Sequence, residues 1–157
     1  RLVMLWDKEP AYREGFQRLQ NTSVVDFVGL RDERLSLIEV KNFTRHRIEN
    51  KRRLNSGELA EEVSCKVRDT IAGLVWACDR GFCDASVQVL LRSIFVNRSG
   101  CDVVLWLEED LDPRPPERSA LAGKIKERLR WLNPHVSVRS RRDPLLGMTV
   151  KGAPEGE

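Results

Sequence analysis

Two apolar segments flank four charged residues, and this arrangement limits what the chain can become more than any other. They read Val24-Val25-Asp26-Phe27-Val28-Gly29-Leu30 and Leu35-Ser36-Leu37-Ile38-Glu39-Val40-Lys41, with Arg31-Asp32-Glu33-Arg34 between them. Such segments, bounded by a polar turn, read as the two strands of a hairpin. Folding back about a four-residue loop sets Asp26 opposite Glu39, with Cβ atoms roughly 5 Å apart. Lys41 shares a face with Glu39 because strand side chains alternate sides. The remaining hairpin positions are largely apolar on both faces, which belongs to the interior of a covered sheet. Charges in such a setting are rarely left unpaired. A divalent cation would compensate two carboxylates there; a self-paired ionic cluster is the alternative.

The rest of the chain supplies layers for that hairpin. Leu2 to Trp6 reads as a short strand. Glu9-Pro10 opens a helix, with proline suited to the first turn, and Tyr12, Phe16 and Leu19 fall on one stripe. Asn55 and Glu58 have the spacing of a capping box. Beyond them Leu59, Val63, Val67, Ile71, Leu74 and Cys78 mark a long amphipathic helix to about Arg80. A helix over 85–97, capped by Asp84, follows. Asp102 to Leu107 reads as a strand, 112–116 as a stiff proline-rich linker, 121–132 as a helix and 136–139 as a last strand. The order predicts an α/β domain over residues 1–150, with a central mixed sheet flanked by helices and a disordered tail over 151–157.

At 157 residues the chain is long enough for one domain with a real core. No apolar run approaches the roughly 20 residues of a membrane helix, and no secretory signal is legible, so a cytoplasmic protein with no membrane partner is expected. The four cysteines include no Cys-x-x-Cys pair, and the two histidines are not spaced for shared ligation, which argues against a zinc site. Reduced core thiols are expected instead. The four tryptophans fall on apolar faces and read as core. The net charge of +3 is small, but Arg45, Arg47, Lys51, Arg52 and Arg53 crowd into nine residues after the hairpin. Such a run can reach backbone phosphates and give salt-dependent, sequence-independent affinity for a nucleic acid. Arg139, Arg141 and Arg142 are candidates to extend it.

Asp26, twelve intervening residues and Glu39-Val40-Lys41 resemble the active-site motif of the PD-(D/E)xK nuclease superfamily, which includes restriction enzymes and Holliday-junction resolvases. A second Glu-x-Lys, Glu49-Asn50-Lys51, lies in a polar stretch without strand context. The family core is a helix, an antiparallel meander, a crossover helix and a further strand, and the order from Glu9 to Leu107 is similar to it. Val25 stands where the family motif has proline. The resemblance implies a restriction-endonuclease-like fold and a Mg²⁺- or Mn²⁺-dependent endonuclease acting on duplex or branched DNA, with a homodimer as a further expectation. Asp26 and Glu39 would be carboxylate ligands and the Val40 carbonyl a third, suited to a hard cation. Lys41 would steer water or stabilise developing charge, with a pKa pushed down by a nearby cation. Many members add a glutamate from the first helix; Glu9 fits that position, whereas Glu14 points away from the buried stripe. Lys66, on the long helix, is a weaker candidate for a phosphate or water contact. The competing readings are a catalytically inactive nuclease-fold domain that binds nucleic acid or a protein partner, and an interaction module.

Overall fold

The second arm of the hairpin organises the sheet. The computed structural model describes residues 2–18, 21–31, 33–44, 53, 56–96, 100–108 and 115–143. Arg34–Asn42 forms the central strand β3 of a five-stranded sheet. β2 (Phe27–Arg31) lies antiparallel on one side of it, and β1 (Leu2–Leu5) lies antiparallel outside β2. On the other side β4 (Cys101–Glu108) and then β5 (His135–Arg139) run parallel. The expected α/β class with a central mixed sheet is what forms.

The hairpin keeps the expected register, Phe27 opposite Ile38 and Val28 opposite Leu37. Its loop is shorter than expected, because Arg31 pairs with Arg34 and leaves two residues at the turn. Glu33 takes a φ of 62°, the left-handed value that lets a two-residue turn follow the twist of its strands. The first strand also starts later than expected, at Phe27. Val24 and Val25 are buried, but the Val25 N–H is drawn to the Thr70 hydroxyl instead of a neighbouring strand.

Among the described residues the longer helical segments are α1 (Pro10–Glu14), α2 (Glu58–Asp79), α3 (Ala85–Val96) and α4 (Pro115–Arg128). The stripe of α2 is buried as its spacing predicts, from Leu59 through Leu74. Leu35 and Leu37 of β3, with alternate residues of β4, meet it and apolar residues of α3 and α4 in one cluster. The α2 and α3 segment crosses from β3 to β4 and α4 from β4 to β5, as adjacent parallel strands require. The Asp84 carboxylate accepts from Ser86 N at 2.6 Å, which starts α3 as expected and holds that carboxyl below its usual range.

Several expectations are corrected. The helix from Pro10 runs one turn and gives way at Gly15 to a 3-10 turn over Phe16–Arg18. Trp76 of α2 closes on that point: a Cβ on Gly15 would stand 2.2 Å from its ring. α2 starts after Gly57, at φ 82°, and not at a side-chain cap; Asn55 lies outside the described residues. Pro115 and Pro116 belong to the first turn of α4, where a missing N–H costs little, so the linker is shorter than expected. Trp131 is 55% exposed and is no core residue. The tail over 151–157 lies outside the described residues, and among those no helix is long and apolar enough to cross a membrane.

Candidate functional site

Glu39 and Lys41 leave the same face of β3, the face that α2 covers. Glu39 is 1% exposed, an uncommon position for a carboxylate. Two ammonium groups approach its Oε1: Lys41 Nζ at 2.9 Å and Lys66 Nζ at 2.7 Å. Both contacts fall at charge-assisted hydrogen-bond distance, whereas the enclosed Oε2 has no hydrogen-bond partner among the described residues. Lys66 comes from α2, where Glu62 sits one turn earlier at i, i+4 spacing. Glu62 extends the cluster. Its Oε1 accepts from Lys41 Nζ at 2.6 Å, and its Oε2 pairs with Arg53 Nη2 at 2.5 Å. Arg53 also pairs with Glu58 at 3.3 Å and lies over the Phe43 ring, 5.8 Å from its centroid.

The protonation tendencies follow from this packing. Burial pushes the Glu39 carboxyl above its ordinary value, and the opposing pull of Lys41 and Lys66 only partly offsets it. Burial alone would lower the Lys41 pKa; Glu39 and Glu62 together raise it above the lysine value instead. These two carboxylates favour the charged form of Lys41. For Glu62 burial acts upward, but Lys41, Arg53 and Lys66 hold its carboxyl below the usual range.

Asp26 approaches the same strand from the other arm of the hairpin. The segment ahead of β2 is fastened to α2: Ser23 N donates to Asp69 Oδ2 at 3.2 Å and Val25 N to Thr70 Oγ1 at 2.9 Å. Trp6 N donates to the Asp26 carbonyl at 3.1 Å. Because β2 starts only at Phe27, the end of β3 overhangs it. Asp26 fills that gap, its Oδ2 accepting from Val40 N at 2.8 Å. The N–H and C=O of one strand residue point to the same side, so the Val40 carbonyl also faces the Asp26 side. Continuing the hairpin register sets Asp26 opposite Glu39, with the Val40 backbone beside both.

Other expected residues fall elsewhere. Glu9 precedes α1 and accepts through its carbonyl from Tyr12 N and Arg13 N, each at 3.0 Å. The thiol that senses its charge is Cys83, past the far end of α2 from Lys66. Glu14's side chain and Arg45, Arg47, Lys51 and Arg52 lie outside the described residues; of the basic run, Arg53 is described, committed to Glu62 and Glu58. Arg139 pairs with Asp143 at 3.0 Å. Glu108 accepts from Trp106 Nε1 and from Arg141 N at 3.2 Å. Cys101 is buried, which pushes its thiol up to about 12, and Cys83 is pushed to about 12 chiefly by burial as well. No three histidine, cysteine or acidic side chains gather as a metal-binding group among the described residues.

The sequence reasoning missed Glu62 and Thr70. Glu62 and Lys66 flank the apolar stripe of α2 one turn apart, and that spacing was the available signal for a charged edge facing the strand. Thr70 carries no such signal, since a threonine inside a helix reads as neutral. Comparison of the chain with known protein families, with curated proteins and with solved structures finds no match.

Proposed function

We propose that the protein is a divalent-metal-dependent phosphodiesterase of the PD-(D/E)xK type, cutting duplex or branched DNA. One observation carries the reading: a fully enclosed carboxylate, Glu39, whose Oε2 has no hydrogen-bond partner among the described residues, adjoins the Val40 backbone that Asp26 engages. A buried anion left this way suits a cation ligand. Asp26, Glu39 and the Val40 carbonyl would hold Mg²⁺ or Mn²⁺, an all-oxygen set of the kind hard cations take. When bound, that cation supplies polarisation of the scissile phosphate and of the attacking water.

The protein's own groups do the rest. Lys41 would bring a positive charge to the non-bridging phosphoryl oxygens, where charge stabilisation dominates phosphoryl chemistry. Glu62 orients it and shares the load of keeping it protonated. The basic run from Arg45 to Arg53 would follow the backbone phosphates, contacts that position a duplex without reading its sequence.

A specific observation favours a second reading. Two ammoniums already stand on the single Glu39 oxygen Oε1, and a self-neutralised cluster needs no cation. That arrangement suits a catalytically inactive nuclease-fold domain that binds nucleic acid or a protein partner. Nicking of supercoiled plasmid with Mn²⁺, with and without EDTA, separates the two. Under the enzyme reading cleavage is abolished by Asp26→Ala and falls about 100-fold or more in Lys41→Met, the scale of losing one transition-state charge contact. Absence of EDTA-sensitive cleavage on plasmid, junction and single-stranded substrates refutes it.

A further inference from the structure

The two lysines at Glu39 are not equivalent. Lys41 holds a second anion, Glu62, at 2.6 Å, and keeps it whatever happens at Glu39. Lys66 stands 2.7 Å from Glu39 Oε1, and among the described residues Glu39 is its one ion-pair partner. Its side chain is partly exposed, and its long flexible stem can carry the charge outward by rotamer changes alone. The paired charges also balance: Glu39, Glu58 and Glu62 face Lys41, Arg53 and Lys66. A dication added to that set meets uncompensated repulsion unless one positive group leaves, and Lys66 is the group least held.

Building on the metal-dependent reading above, we propose that Lys66 is an exchangeable counter-ion of Glu39. It occupies the carboxylate until a divalent cation takes its place, and so sets the affinity of the site for that cation. Lys66 thereby acts as a positioning residue: it keeps a buried carboxylate in place without metal and yields that carboxylate when metal arrives.

The test is calorimetric Mn²⁺ titration of the full chain and its variants, paired with melting curves in EDTA and in saturating Mn²⁺. With no ammonium left to displace from Glu39, Mn²⁺ binding should tighten by at least about tenfold in Lys66→Met, the scale of one unit-charge interaction at close range even with strong screening. Lys66→Gln should behave likewise, whereas Lys66→Arg, which keeps the charge, should stay near the unmodified protein. The melting order should also reverse: Lys66→Met melts below the unmodified protein in EDTA and above it in Mn²⁺. A purely structural lysine would give the first shift without the reversal. In the unmodified protein, the ¹³Cε resonance of Lys66 should move on Mg²⁺ addition, a measurement that needs no variant. If Mn²⁺ binds and Asp26→Ala abolishes it, but the neutral variants bind no tighter and the Lys66 signal stays still, the exchange is refuted and the metal site stands. If no form binds Mn²⁺, the metal reading falls and the exchange with it.

Discussion

Replacing Thr70 by valine tests how the fold aims Asp26. The two side chains have nearly the same shape, so the perturbation is the hydroxyl alone. That hydroxyl accepts from Val25 N at 2.9 Å and donates to the Lys66 carbonyl at 2.7 Å, and both Thr70 and Val25 are fully buried. The Lys66 carbonyl keeps its place in the helix and loses little. The Val25 N–H is left without a partner away from water, which costs about 1–3 kcal/mol. The new methyl group returns up to about 0.8 kcal/mol of apolar burial. A net loss of about 0.2–3 kcal/mol remains, which for a chain of this size lowers Tm by up to about 12 °C. Urea denaturation should show a lower midpoint with an unchanged slope, the mark of a stability change alone. Thr70→Ser keeps the hydroxyl and should lose only about a methyl group's worth. Freed from α2, the segment before β2 should also hold Asp26 less well, and Mn²⁺ affinity should drop in the valine variant and not in the serine one. Equal stability of Thr70→Val and the unmodified protein would refute the idea that this bond fastens the first hairpin arm.

Two further perturbations follow from the packing. Glu62 has a folded-state pKa below its ordinary 4.5, so its stabilisation is complete above that value and fades as pH falls through the folded one; the stability difference between the unmodified protein and Glu62→Gln, read by urea denaturation, should be largest near neutrality and shrink below pH 4.5, and a gap that persists or grows in acid would contradict it. Gly15→Ala should destabilise by about 1–3 kcal/mol, since its Cβ would fall 2.2 Å from Trp76 and overpack a ring already stacked on Phe82; helix propensity alone predicts a gain of up to about 1 kcal/mol, so the sign of the change in melting temperature decides.

The hairpin register was legible because period-two patterning and equal apolar lengths leave few ways to pair Val24–Leu30 with Leu35–Lys41. The long stripe of α2 was legible for the same kind of reason, as were α3 with its Asp84 cap and the strands at either end. What escaped was set by contacts distant in sequence. Trp76 shortens the first helix from more than 60 residues away, and no local pattern around Gly15 announces it. The Asp26, Glu39 and Lys41 motif could be picked out, and the pairing of Glu39 with Lys41 follows from alternation along one strand. The clamp on Lys41 from Glu62 depends on how α2 lies across β3, which spacing along the chain does not encode. Lys41 itself illustrates the limit: a neighbouring cation would lower its pKa, yet the two glutamates that pack against it act the other way.

The overhang of β3 beyond Phe27 gives Asp26 two jobs. A strand end with a bare donor invites pairing with another chain, and the Asp26 carboxylate closes that opening by accepting from Val40. An alanine there removes a candidate ligand and uncovers the strand together, so lost cleavage would have two explanations. Asparagine keeps an acceptor of the same reach while discarding the charge. Asp26→Asn is thus the substitution that separates keeping the sheet sealed from holding a cation.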